Sequence, residues 1–220
     1  MAPREVLTAA VAIYKMSHPA SIVAEAAGGV EVARRVAAGE AVDVVVLSSD
    51  AIGKLIESGQ LSATSRVDLM NSEIAVAVPA GAPHPSVADE AAVKAAVVAA
   101  TSVSYSTGPS GRHLEKLFDR WGILDSLRAR IIVPSPGVPV ARLVASGEVK
   151  LGFQQLSELL GVPGIDVLGP LPAKIQQVTT FTGALTPACR NPDAARDLLS
   201  FLASARLDVL KQRYGMAAAH

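Results

Sequence analysis

Twelve residues starting at Gly29, GVEVARRVAAGE, return without a gap from Gly137 as GVPVARLVASGE, and nine of the twelve positions are identical. In each copy a Gly-Val pair opens a helix, Val32 and Val36 or Val140 and Val144 mark its buried stripe, Gly39 or Gly147 ends it, and an apolar strand follows. One αβ unit is thus used twice, which constrains the chain to two similarly built lobes. Alanine-rich helices also match through composition alone, so coincidence is the competing reading.

Outside the repeat, short apolar β-branched runs alternate with helical patterns. The runs DVVVL (43–47), EIAVAV (73–78), SVSY (102–105), RIIV (130–133), LGF (151–153) and IDVL (165–168) read as strands buried on both faces. Helical patterns lie between them at 30–39, 51–59, 90–100 and 112–122. The alternation predicts an α/β fold in which each lobe is a mostly parallel sheet flanked by helices. With 220 residues, 50% hydrophobic and 18% charged, the chain is able to bury a core in one large domain or two modest lobes.

Twenty Lys and Arg balance twenty Asp and Glu with no basic run, so the electrostatic footprint of a nucleic-acid binder is missing. No stretch reaches the roughly 18 uncharged apolar residues of a membrane-spanning helix, so no membrane insertion is expected. The opening MAPREVLTAA carries Arg4 and Glu5 where a signal peptide keeps an apolar run. As written the chain reads as unexported, and as periplasmic if its true start lies upstream. Cys189 is the single cysteine, and His18, His84 and His220 are isolated, so neither a metal nor any other cofactor is expected.

Three segments carry the candidate chemistry. STGPSG (106–111) joins the SVSY run to a helix with the apolar face Leu114, Leu117, Phe118 and Trp121. Ser106, Thr107 and Ser110 offer hydroxyls, Ser110 is the expected N-cap, and Gly108 and Gly111 let backbone N–H groups approach a bound group. The RH that follows is not the GK[ST] of a nucleotide loop, and a capped turn without a ligand accounts for the segment equally well. PSPGVPV (134–140) sets Pro139 in a first helical turn and brings the backbone of Gly137 and Val138 forward. FQQLSE (153–158) ends a strand with Gln154 and Gln155, which donate to oxygen without adding charge. Two helix starts facing one ligand across a cleft would present unpaired N–H groups and positive dipole ends, an arrangement that selects an anion. For proton transfer, His113 and Glu158 are the candidates near these segments, and a solvated helix face explains both more simply.

The order GEAVDVVVLSSDAIGKLIESGQL, RVDLMNSEIAVAVPAGAP, SVSYSTGPSG, GVPVARLVASGEVKLGFQQLSEL, PGIDVLGPLPAKIQQVTTF resembles the molybdate-binding-protein-like solute-binding family from about Gly28 onward. The resemblance implies a two-lobed, periplasmic-binding-protein-like type 2 fold, lobe I being 1–76 plus 182–220 and lobe II 77–181, with crossing strands near 76–80 and 177–181. It further implies an oxyanion held in the cleft between lobes by hydroxyls and helix-start amides, matching Gly28 and Gly29, 106–111, Gly137 and Val138, and the 153–155 strand end. Two departures stand out. The family's first strand would precede the helix that begins here near Pro3, and Gln154 and Gln155 stand where a molybdate binder has a tyrosine, which opens the site to a small carboxylate as well as to a tetrahedral oxyanion.

The expected function is capture of a small anionic solute by hinge closure, as a solute-binding protein or a ligand sensor. If the chain is exported, its partners are the membrane components of an ABC transporter. The alternative comes from the same resemblance, which extends to proteins similar to aconitate isomerase: an isomerase of a small polycarboxylate with Glu158 or His113 as base. Arg66, in the SATSRVD loop, is expected to lie away from the site.

Overall fold

Apolar runs that look alike in sequence are sorted into two separate sheets. The structure, a computed structural model, describes residues 2–18, 21–135 and 138–219. It divides into two compact units, Met1–Ser72 with Thr179–His220, and Glu73–Val178. The chain therefore passes between units at 72/73 and 178/179, where the sequence reading put the boundaries at 76/77 and 181/182. In chain order unit 1 opens with α1 (Arg4–Lys15), α2 (Gly29–Ala37), β1 (Val44–Ser48), α3 (Ser49–Glu57) and β2 (Val67–Ser72). Unit 2 holds β3 (Ile74–Pro79), α4 (Glu90–Ala99), β4 (Val103–Tyr105), α5 (Pro109–Arg120), α6 (Leu124–Leu127), α7 (Val140–Ala145), β5 (Leu151–Gln155), α8 (Leu156–Leu159) and β6 (Ile165–Pro170). Unit 1 is completed by β7 (Thr179–Leu185), α9 (Pro192–Ala203), α10 (Asp208–Arg213) and β8 (Met216–Ala218).

The α/β class stands, but the expected mostly parallel pairing is corrected. Unit 1 has strand order β1-β7-β2-β8 with antiparallel neighbours throughout. Unit 2 has order β4-β5-β3-β6, and of its ladders only β4–β5 is parallel. The cause is the pair of crossings. The first strand after each crossing, β3 or β7, inserts into the middle of its sheet and runs against both neighbours. A continuous apolar run reports burial on two faces and says nothing of neighbour direction. The run at 130–133 is also corrected: a single bridge joins Ile131 to Val103, and Pro134 follows too soon for a ladder to extend.

The sheet of unit 2 has two unlike faces. Ile74, Val76, Val78, Leu151 and Phe153 pack with Val97, Leu114, Phe118 and Tyr105 under α4 and α5, where Phe118 meets Tyr105 and Phe153 edge-on at 6.0 and 6.1 Å. The alternate residues Ala75 and Ala77 pack with Ala141 and Leu159. Gly152 lies on that small side, and a Cβ there would stand 2.4 Å from Val144 Cγ2 and 2.9 Å from Val140 Cγ1, so α7 sits as close as glycine permits. Unit 1 uses the same device at Gly183, where a Cβ would stand 2.4 Å from Leu199 Cδ2 of α9.

Local chemistry fixes the helix ends. Asp89 accepts from Ala92 N at 2.8 Å to start α4, and Asn191 from Ala194 N at 3.2 Å to start α9. The repeated segment takes the same form twice: α2 ends at Gly39 (φ +83°) before β1, and α7 at Gly147 (φ +77°) before β5.

Within unit 1, α1 is fastened to α9 by Tyr14, whose hydroxyl donates to Asp197 Oδ2 at 2.6 Å while its ring stacks on His18 at 3.9 Å. Burial, then the bond to Asp197, pushes the Tyr14 pKa from 10.0 up to about 12. A folded value above the unfolded one means that this stability is complete below the unfolded pKa and is lost as pH rises through the folded one. Tyr14→Phe is therefore expected to lower unfolding free energy by about 1–2 kcal/mol at neutral pH and to flatten its decline between pH 10 and about 12. Urea melts of both proteins across that range check it.

Candidate functional site

In unit 2 the parallel strands β4 and β5 end side by side, and α5 starts three residues after β4. Gly108 is the N-cap, with Pro109 in the first turn, so the expected N-cap role of Ser110 is corrected: proline belongs at the first helical position and shifts the cap back. Ser110 instead lies inside the first turn, buried, and its hydroxyl meets that of Ser106 at 2.9 Å. Thr107 is exposed between them. Gly111 serves packing, since a Cβ there would fall 1.6 Å from the Ser106 carbonyl oxygen and 3.1 Å from Tyr105 Cδ2. The turn thus holds two serine hydroxyls against the start of a 12-residue helix, whose first amides have no partner within the helix.

The β5 end is organised by Gln154. Its side chain is buried, and Oε1 accepts from the backbone N–H of Ala141 at 3.0 Å, satisfying an amide at the start of α7. Burial raises the Glu158 pKa above the ordinary carboxylate range, and nearby Gln154 is among the groups that lower it. Gln155 is buried as the last residue of β5. Ser104 pairs in register with Gly152, so it shares the small-residue side of the sheet. Its hydroxyl is fully buried and, among the described residues, has no partner.

Three further expectations resolve differently. Pro139 is the N-cap of α7 and not part of its first turn. The Val138 amide is taken by Ser135 O at 3.0 Å, closing a turn, so it is not presented to a ligand. Gly137 lies outside the described residues. His113 Nε2 donates to Ile175 O at 2.8 Å, which ties α5 to the segment after β6.

In unit 1, Gly28 is the N-cap of α2, and a Cβ at Gly29 would lie 3.7 Å from Leu47 Cδ2. The start of α2 therefore sits by the C-terminal end of β1, where Ser48 and Ser49 open α3. Arg66 reaches the same end: its Nη2 donates to Ser49 Oγ. The sequence reading missed Ser48, Ser49, Arg66 and Ser104. Ser48 and Ser49 span the end of β1 and the start of α3, as Gln155 and Leu156 span the end of β5 and the start of α8. Among the described residues no three His, Cys, Asp or Glu side chains gather as metal ligands.

Two α/β units, each with a sheet entered midway by the strand that follows a crossing, have the fold of the type 2 periplasmic binding proteins. The chain matches the model of the bacterial extracellular solute-binding protein family over residues 1–217, and it belongs to that family. It is 46% identical over 173 residues to an aconitate isomerase of Pseudomonas sp, an alignment covering 77% of this chain and 65% of that relative, so the chain spans about two thirds of its length. Its fold is similar to a periplasmic molybdate-binding protein of Azotobacter vinelandii (TM-score 0.81, 18% identity, 99% of this chain and 96% of the other). It is also similar to the substrate-binding domain of a putative molybdenum ABC transporter from Clostridium difficile (TM-score 0.77, 16% identity, 100% and 96%). The resemblance to the molybdate-binding branch and to aconitate-isomerase-like relatives is borne out.

The close approach at Gly111 predicts that Gly111→Ala destabilises the protein by about 3 kcal/mol, the upper end for overpacking, because the atom it meets is backbone and cannot rotate away. A chemical denaturation midpoint lowered to that extent is the expected readout.

Proposed function

We propose that the protein binds a small anionic solute, an oxyanion or small carboxylate, with the Ser106 and Ser110 hydroxyls and the first amides of α5 among its donors. The observation that carries this is the 2.9 Å contact between the two hydroxyls. Between two bonded hydroxyls only one proton is used, which leaves the other to donate outward beside the positive end of α5. In unit 1, taken by itself, Gly28 and Gly29 stand at the start of α2, whose first amides likewise have no partner within the helix. Gln154 is committed to Ala141, so its part is support. If the chain is exported, the membrane components of an ABC transporter are the partners this reading gives it.

The test is isothermal titration with molybdate, sulfate, citrate and trans-aconitate. Ser110→Ala is expected to weaken the best ligand by about 0.5–1.5 kcal/mol while leaving the melting midpoint without ligand nearly unchanged. Equal affinity in the variant moves the site elsewhere.

A second reading is favoured by one observation, the raised Glu158 pKa, together with the relative whose activity is aconitate isomerisation. In this reading the Glu158 carboxylate removes a proton from the carbon next to a double bond, charge spreads over the adjoining carboxylate-bearing carbons, and the proton returns to another carbon. His113 is the less suited base, because its Nε2 is engaged with Ile175 O. A base with a raised pKa is unprotonated only at higher pH, so turnover of trans-aconitate is expected to climb with pH beyond the ordinary carboxylate range. NMR in deuterated buffer reads it: isomerisation or deuterium uptake abolished in Glu158→Gln supports the enzyme, and recovery of unlabelled, unisomerised trans-aconitate from the wild type supports binding alone.

A further inference from the structure

Arg66 differs from the arginines that the fold uses as ties. Arg34, Arg35, Arg120, Arg128 and Arg190 each place a guanidinium nitrogen within 3.1 Å of a carboxylate oxygen. Arg66 donates instead to a hydroxyl, Ser49 Oγ, and stands 3.9 Å from Asp68. Asp68 in turn accepts from Thr182, a buried residue of β7. A hydroxyl gives the guanidinium a direction without a counter-charge. The Asp68 contact, with the two side chains 41% and 44% exposed, is too long and too wet to neutralise it.

The rest of the fork is available. Among the described residues no hydrogen bond engages Arg66 Nε or Nη1, so one of its two paired N–H edges remains whole. A fork held at one corner and open along an edge matches the two oxygens of a planar carboxylate. Two neighbours add to the setting: the start of α2 at Gly29 lies by Leu47, and Ser48 and Ser49 follow directly. Arg66 is thus tied through Ser49 to the end of β1, by which the start of α2 at Gly29 also lies.

We propose that Arg66 is a ligand-recognition residue that binds a carboxylate of the solute, which makes carboxylates the favoured ligand class within the anion-binding reading on which this inference rests. Titration calorimetry on the full chain with trans-aconitate, citrate and molybdate tests it in the wild type, Arg66→Gln, Arg66→Lys and Ser49→Ala. Arg66→Gln is expected to weaken the better carboxylate about 30-fold, in the range for a charge-assisted pair, and to leave any molybdate affinity unchanged. Arg66→Lys keeps the charge and loses the fork, so it falls between. Ser49→Ala removes only the tether and is expected to weaken the carboxylate several-fold; it carries the test if Arg66→Gln alters the melting midpoint of the free protein. Carboxylate affinity unchanged in Arg66→Gln and Ser49→Ala overturns the role of Arg66 and leaves the anion-binding reading intact. A wild type that binds molybdate but neither carboxylate does the same, and one that binds none of the three anions overturns both.

Discussion

The architecture of unit 2 depends on the contrast between the two sides of β3 and β5. Large side chains, Ile74, Val76, Val78 and Phe153, fill the space under α4 and α5, whereas Ala75, Ala77 and Gly152 leave room for α7 to sit almost on the backbone. That closeness brings the Ala141 amide within reach of a side chain two residues along β5 from Gly152, and Gln154 takes it. A buried amide without a partner costs about 1–3 kcal/mol, so the strand supplies the capping group that the short helix lacks. Once its oxygen is committed to Ala141, the amide nitrogen of Gln154 is left to lower the pKa that burial raises at nearby Glu158.

The chemistry of the two units follows from one αβ element used twice with different endings. In both copies a helix ended by a left-handed glycine feeds a strand that stops just before another helix. At the end of β1 stand two serines and a tethered guanidinium; at the end of β5 stand two glutamines and a partly buried glutamate. The shared portion fixes backbone geometry, and the residues beyond it differ between the two copies.

How far the sequence could be read tracks how local the signal was. The paired segments at 29–40 and 137–148, the strand runs at 43–47, 73–78, 102–105, 151–153 and 165–168, and the helices between them were legible because periodicity and terminal glycines are local. Strand direction was not, since β3 and β7 become central antiparallel strands only through partners far along the chain. The strand β7, TTFTGAL, alternates threonine with apolar residues and looks half-polar, yet Thr182 is buried because Asp68 bonds it from the neighbouring strand. Site residues divide in the same way. The hydroxyl-rich turn at 106–111 announced itself, but the use of Gln154 as a helix cap and the use of Val138 N in a turn depend on contacts that no spacing encodes.

An unpartnered buried hydroxyl bears on why a binding fold and an isomerase can share one scaffold. Ser104 lies fully buried on the same side of its sheet as Gly152, without a partner among the described residues. Leaving such a group unsatisfied works against stability, whereas neutral donors near a ligand hold charge without creating a fixed counter-ion. A fold that already surrounds an anion with neutral donors needs little to become catalytic. Stabilising the negative charge of a deprotonated intermediate is the same electrostatic task as binding the anion, and what remains is a base of suitable pKa. Burial of Glu158 beside Gln154 supplies a candidate by raising a carboxyl toward the range in which it exchanges protons with carbon acids. A binder and an isomerase built on this fold would therefore differ by the environment of one side chain more than by the fold.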